Sequence, residues 1–159
     1  LGRERVELVY GGASIGLMGA AADAALEAGG DVTGVIPTLL RDREIAHRGL
    51  TRLETVETMA QRKDRMYALG DAFIALPGGA GTLEEFFEVW TRQHIGIHQQ
   101  PVALVGPGGF WGPLVALIES LVDGGLVHRK HLESLIVVED PADLLPALCA
   151  WRPPGTKWA

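Results

Sequence analysis

The segment Pro77-Gly78-Gly79-Ala80-Gly81-Thr82-Leu83-Glu84-Glu85 carries the residues best suited to chemistry. It follows an apolar run, residues 72–76, and opens into a helical pattern of Leu83, Phe86, Phe87, Trp90 and His94. Strand, Gly-rich turn and helix therefore follow one another. Such a turn bares backbone N–H groups at a helix N-terminus, where the helix dipole favours a phosphate. Glu85, expected in the first helical turn, would lie beside the bound anion. Packing gives no reason to put an acid next to a phosphate, so chemistry is expected there. A plainer reading stands beside it: Thr82-x-x-Glu85 is also the pattern of a capping box.

Two cations join this turn. Arg62 and Lys63 fall just past the first turn of a helix expected over residues 58–69, which Thr58-x-x-Gln61 would cap. That helix runs antiparallel to the strands, so its N-terminus is expected at their carboxyl edge. The turns at residues 11–16 and 78–82 leave strands and share that rim. Arg62, with a planar fork, and Lys63, a point charge, could each hold a phosphate. Alternatively Arg62 pairs on the surface with Asp64, Glu57 or Glu54. His94 and His98 have helical spacing, but Gly96 between them argues against a metal site. His128 and His131 read as solvated loop residues.

The elements that must position these groups alternate along the chain. Strands are expected at residues 6–10, 32–36, 53–57, 72–76 (a central strand), 102–105 and 135–138. Helices are expected at 17–28, 58–69, 82–95 and 111–122, and a last one after Asp140-Pro141, an N-cap followed by proline at the first helical position. Residues 38–50 read as polar and irregular, with room for a short helix. Alternation of short apolar strands with helices predicts an α/β protein, a mainly parallel sheet with helices on both faces. Ligands of such folds sit beyond the carboxyl ends of the strands. Residues 1–150 form one expected domain; residues 151–159 are a Pro-rich tail.

Composition narrows the function. The 159 residues are 47% hydrophobic, which excludes disorder, and no apolar run is long enough to span a bilayer. A net charge of −6 without a basic stripe disfavours nucleic acid as a partner. Cys149 is the only cysteine, which fits a reducing cytoplasm. No signal peptide is legible, and Leu1 is no natural start, so the sequence is expected to begin inside a longer chain.

Several separated motifs together resemble the LOG ("Lonely guy") family of cytokinin riboside 5'-monophosphate phosphoribohydrolases, often mislabelled lysine decarboxylases. They are Tyr10-Gly11-Gly12-x-x-x-Gly16-Leu17-Met18-Gly19, Arg43-Glu44, Met59-x-x-Arg62-Lys63, residues 71–76, Pro77-Gly78-Gly79-x-Gly81-Thr82-x-x-Glu85 and Gly96-Ile97-His98. The resemblance implies a Rossmann-like fold, a homodimer and hydrolysis of the N-glycosidic bond of a nucleoside 5'-monophosphate, without cofactor or metal. It implies Arg62 and Glu85 as the catalytic pair. Gly11, Gly12, Glu44, Met59, Arg62, Lys63, Gly78, Gly79, Ala80, Gly81, Thr82, Leu83, Glu84, Glu85 and Thr91 would contact substrate. Ala13, Ala80 and Thr91-Arg92-Gln93-His94 depart from the family's more usual residues, in places that bear on the base pocket or the dimer contact. The family also usually opens with a further strand and a Gly-Ser-Ser turn, which this sequence does not contain.

Two rival readings remain open at this stage. One is a nucleotide-binding or sensing module, with Glu85 merely capping its helix. The other is a lysine decarboxylase, which needs pyridoxal phosphate on a lysine. The only lysines are Lys63, Lys130 and Lys157; Lys130 and Lys157 are expected in loop or tail, and Lys63 is better used on phosphate.

Overall fold

A computed structural model describes residues 1–155, except for the side chains of Asp42 and Glu44. The last four residues of the expected tail, with Lys157 among them, lie outside the described residues. The chain divides into two compact units, Leu1–Gly70 and Asp71–Ala159.

The first unit holds β1 (Leu8–Tyr10), α1 (Gly16–Glu27), β2 (Val32–Pro37), α2 (Thr38–Leu40), β3 (Arg52–Val56) and α3 (Met59–Leu69). Its strands run parallel in the order β1-β2-β3, with Leu8 opposite Val32 and Thr33 opposite Arg52. β2 is buried at every residue, the mark of a strand covered on both faces. Val32 packs with Tyr10 and with Ala22 and Ala25 of α1. Small residues on α1 let it lie close to the sheet. α3 is the other helix packed on β2. The capping box read from Thr58-x-x-Gln61 is present in full. The Gln61 N–H donates to Thr58 Oγ1 at 3.1 Å, and the Thr58 N–H donates to Gln61 Oε1 at 3.2 Å. Residues 38–50, expected to be irregular with room for a short helix, contain α2 and then a π-helical turn, Arg41–Ile45.

The second unit holds β4 (Phe73–Ala75), α4 (Ala80–His94), β5 (Val102–Val105), α5 (Gly112–Asp123), α6 (Arg129–Glu133), β6 (Ile136–Val138) and α7 (Leu144–Ala150). Its strands are parallel in the order β4-β5-β6. Within this unit β5 stands between β4 and β6. Every residue of β5 is buried, and α7 lays Leu144 and Leu148 over the side that carries Ala103 and Val105. Asp140 caps the turn before α7 as expected, its Oδ1 accepting the Ala142 N–H at 2.8 Å. Both units thus have the α/β, Rossmann-like construction that the alternating pattern predicts.

α4 ends in a Schellman motif, with the Ile97 N–H on the Arg92 carbonyl at 2.9 Å and the Gly96 N–H on that of Gln93 at 3.0 Å. Gly96 takes the left-handed conformation that this motif requires (φ +79°). His94 and His98 consequently part company. His98 Nε2 meets the Val89 carbonyl at 2.8 Å and its Nδ1 accepts the Gln100 N–H at 3.2 Å.

His131 corrects an expectation. It is no solvated loop residue but sits on α6, 1% exposed, its ring stacked on that of His94 with centroids 3.9 Å apart. Lys130 likewise lies on α6 rather than in a loop. Neither ring nitrogen of His131 has a hydrogen-bond partner among the described residues. Burial, and then the charges of Lys130 and His128, hold its pKa below the usual imidazole range. The unfolded chain, titrating near 6.5, therefore takes up this proton first. Stability is full above that value and falls as the pH drops through the lowered folded pKa. His131→Phe keeps the ring stack and removes the titration. Urea midpoints measured across that range should fall less steeply toward acid for the variant than for the wild type.

Candidate active site

In the first unit, Gly11 and Gly12 leave the carboxyl end of β1, where α3 also begins. A Cβ on Gly11 would overlap the Arg62 guanidinium, so glycine at this position is what lets the arginine lie over the turn. Gly12 has a positive φ, +75°. Arg62 Nη1 also meets Met59 Sδ at 3.7 Å. The surface pairing considered for Arg62 with Glu54 does not form. Glu54 is taken by Arg65, which donates through Nε at 2.6 Å and Nη2 at 2.9 Å, and this fork holds the Glu54 carboxyl below its ordinary range. Lys63 follows Arg62 on α3, half-buried. Gly11, Gly12, Met59, Arg62 and Lys63 are thus gathered at one edge of the first sheet. Arg43-Glu44 falls in the π-helical turn, and the Glu44 side chain lies outside the described residues.

In the second unit, the Gly-rich turn leaves the carboxyl end of β4 and opens α4. The helix starts earlier than its sequence pattern predicts, at Ala80 rather than Thr82, with Gly79 as N-cap and no side-chain cap. Thr82 is therefore the third residue of the helix and Glu85 the sixth. The Thr82–Glu85 capping box does not exist, and Glu85 stands in the second turn rather than the first. Thr82 folds its side chain over Gly78, whose missing Cβ makes the room. The first intrahelical bond of this end is Leu83 N–H to the Gly79 carbonyl, 3.1 Å. The N–H groups of Ala80, Gly81 and Thr82 precede it and have no acceptor within the helix. That is the arrangement that suits an anion.

Gly81 is informative because no packing contact among the described residues requires it. It lies in the first turn of α4, and a Cβ there would meet no atom within 4 Å. Glycine in a helix costs about 0.5–1 kcal/mol relative to alanine. Close approach of a ligand to the backbone would account for it. Gly81→Ala should raise the unfolding free energy by about that amount while weakening nucleotide binding, as read by denaturant titration and calorimetry. Improved stability with unchanged binding would remove Gly81 from the site. Glu84 and Glu85 follow on the same helix, Glu84 exposed and Glu85 half-buried. Thr91 lies farther along, ~16 Å from Ala80 by helical rise, and is exposed.

One feature of the first unit is not legible in the sequence. Residues 45–47 strap the first Gly-rich turn: the Ser14 N–H donates to the Ile45 carbonyl at 2.8 Å and the His47 N–H to that of Gly12 at 2.9 Å. A bridge between Ala13 and Ala46 lies between them. No local pattern marks this pairing, because its partners lie about thirty residues apart, as the Ser14 Oγ bond to the Ile45 carbonyl shows.

Parallel α/β units with Gly-rich turns at strand ends, one of them opening a helix without a side-chain cap, define a Rossmann-like protein. Comparison with known proteins narrows the class. A family model described as "Possible lysine decarboxylase" matches residues 18–148. A cytokinin riboside 5'-monophosphate phosphoribohydrolase of Rhodococcoides fascians is 46% identical over 149 residues, covering 93% of this chain and 75% of the relative. One from Mycobacterium tuberculosis is 43% identical, covering 90% of this chain and 76% of the relative. One from Arabidopsis thaliana is 41% identical, covering 94% and 65%. The chain belongs to the LOG family, to which these phosphoribohydrolases give its proper description. It spans about two thirds to three quarters of the length of these relatives.

Proposed function

We propose that this protein hydrolyses the N-glycosidic bond of a nucleoside 5'-monophosphate of the cytokinin or adenosine type. Water adds its hydroxyl to C1' of the ribose, the C1'–N bond breaks, and the base leaves with a proton. The products are free base and ribose 5-phosphate. The observation that carries this reading is the uncapped N-terminus of α4. Its N–H groups suit the 5'-phosphate, and a carboxylate, Glu85, follows one turn later without any capping role.

The transition state is oxocarbenium-like, with positive charge spread over C1' and the ring oxygen. Glu85 stabilises that charge or activates water. Arg62 stays protonated, so it acts by orienting groups and stabilising negative charge rather than as a base. Lys63, Gly11, Gly12, Met59, Glu44, the stretch from Gly78 to Glu84 and Thr91 complete the proposed substrate contacts. The same reading makes the protein a cytoplasmic homodimer that acts on a small nucleotide, with neither nucleic acid nor membrane as partner. Among the described residues no helix is long and apolar enough to cross a membrane. A monomeric mass in solution at full activity would contradict the dimer.

The test uses the phosphate as a handle. N6-isopentenyladenosine 5'-monophosphate and the phosphate-free riboside are compared as substrates. If α4 holds the phosphate, removing it should lower kcat/KM by at least about 10²-fold, the size expected when a charge-assisted anchor is lost. Equal rates on both compounds would sink the assignment of the phosphate to this turn.

A further inference from the structure

Met59 opens α3 directly after Thr58, whose capping box with Gln61 fixes the first turn. Met59 and Arg62 are three residues apart and so share a face of the helix. Arg62 Nη1 donates to Met59 Sδ at 3.7 Å. The other amino nitrogen, Nη2, lies so close to Gly11 that an added Cβ would overlap it. One guanidinium thus touches a glycine backbone through one nitrogen and a thioether sulfur through the other.

That sulfur is open to oxidants. The chain has three methionines, Met18, Met59 and Met66. Met59 is 45% exposed and Met18 40%, whereas Met66 is half-buried. Hydrogen peroxide transfers one oxygen to a thioether: the O–O bond breaks, the S–O bond forms, sulfur loses two electrons, and the peroxide leaves as water. A weak acceptor on an apolar stem becomes a polar sulfoxide. On Met59 the new oxygen enters the contact that Nη1 makes with Sδ. The guanidinium cannot yield toward Gly11, where there is no room for even a methyl group, so it leaves its place over the turn.

We propose that Met59 is a redox-modification site that governs the position of Arg62. Oxidation by a peroxide moves the arginine out of the turn. A methionine sulfoxide reductase restores it, the oxygen leaving as water while a dithiol becomes a disulfide. The consequence for the rate rests on the role given to Arg62 under the hydrolase reading; the modification and the displacement do not.

The test treats the intact chain with dilute hydrogen peroxide in a Cys149→Ser background, which removes the exposed thiol as a second target. Mass spectrometry locates the added oxygen, and nuclear magnetic resonance follows the Arg62 Nε–H. Oxygen should appear on Met59 before Met66, the Arg62 resonance should shift in step, and the melting temperature should hold. Release of base should fall at least about tenfold, the scale expected when a catalytic group is misplaced, and return with the reductase. Met59→Leu, compared with its own untreated rate, should be insensitive to peroxide, and Met18→Leu should respond as the background does. Met59 left unoxidised when Met18 is oxidised, an unmoved Arg62 resonance, or equal loss in Met59→Leu would overturn the proposal. If the untreated protein releases no base, the hydrolase reading fails by itself, and the mass and resonance readouts still decide this one.

Discussion

Glu85→Gln should lower kcat by about 10²- to 10⁴-fold while leaving nucleotide affinity nearly unchanged. The substitution preserves shape and removes charge and basicity. The phosphate contacts proposed for this unit are backbone N–H groups of α4, which the change does not touch. The helix start should not suffer either, because Gly79, not Glu85, is the N-cap. Glutamine and glutamate also differ little in helix propensity. A fall in kcat with an unaltered melting temperature therefore separates a chemical role from a structural one. Glu85→Ala should match Glu85→Gln in rate if charge is what matters. Activity retained in either variant would sink the role.

Gly11→Ala should cost nearly as much activity as Arg62→Ala, although it adds only a methyl group. The added Cβ falls on the Arg62 guanidinium, so the arginine must leave its place. A flexible side chain can do this cheaply, and the fold should survive with a small change in melting temperature. What is lost is position, and misplacing a catalytic group by about 1 Å can cost ~10²-fold. Gly112→Ala is the control, since a Cβ there meets nothing within 4 Å. Wild-type rates in Gly11→Ala would mean that the position of Arg62 over the turn is immaterial to the reaction.

The parts of this fold that follow local rules were legible. Thr58 and Gln61 cap α3 because both partners lie within one turn, and Gly96 ends α4 because the Schellman motif needs a left-handed residue there. β5 was read to its exact ends as a short apolar run between Pro101 and Gly106. The misreadings have physical causes. Thr82-x-x-Glu85 has the spacing of a capping box, but the true N-cap is Gly79, which has no side chain to announce it. His131 is polar and lies beside His128 and Lys130, so its surroundings in sequence suggest solvent. Its ring stacks instead on that of His94, on a different helix. The same holds for Gly11 and Arg62. Their types were noticed, but the overlap that makes glycine necessary arises only when α3 packs beside β1.

The measurement that tests the central claim most directly is chromatographic product analysis. Wild type and Glu85→Gln are incubated side by side with AMP and with N6-isopentenyladenosine 5'-monophosphate. The account predicts equal amounts of free base and ribose 5-phosphate from the wild type and almost none from the variant, with relative rates that set the base preference. Tight nucleotide binding by both proteins with no base released would contradict it, and would make the site a sensor rather than an enzyme.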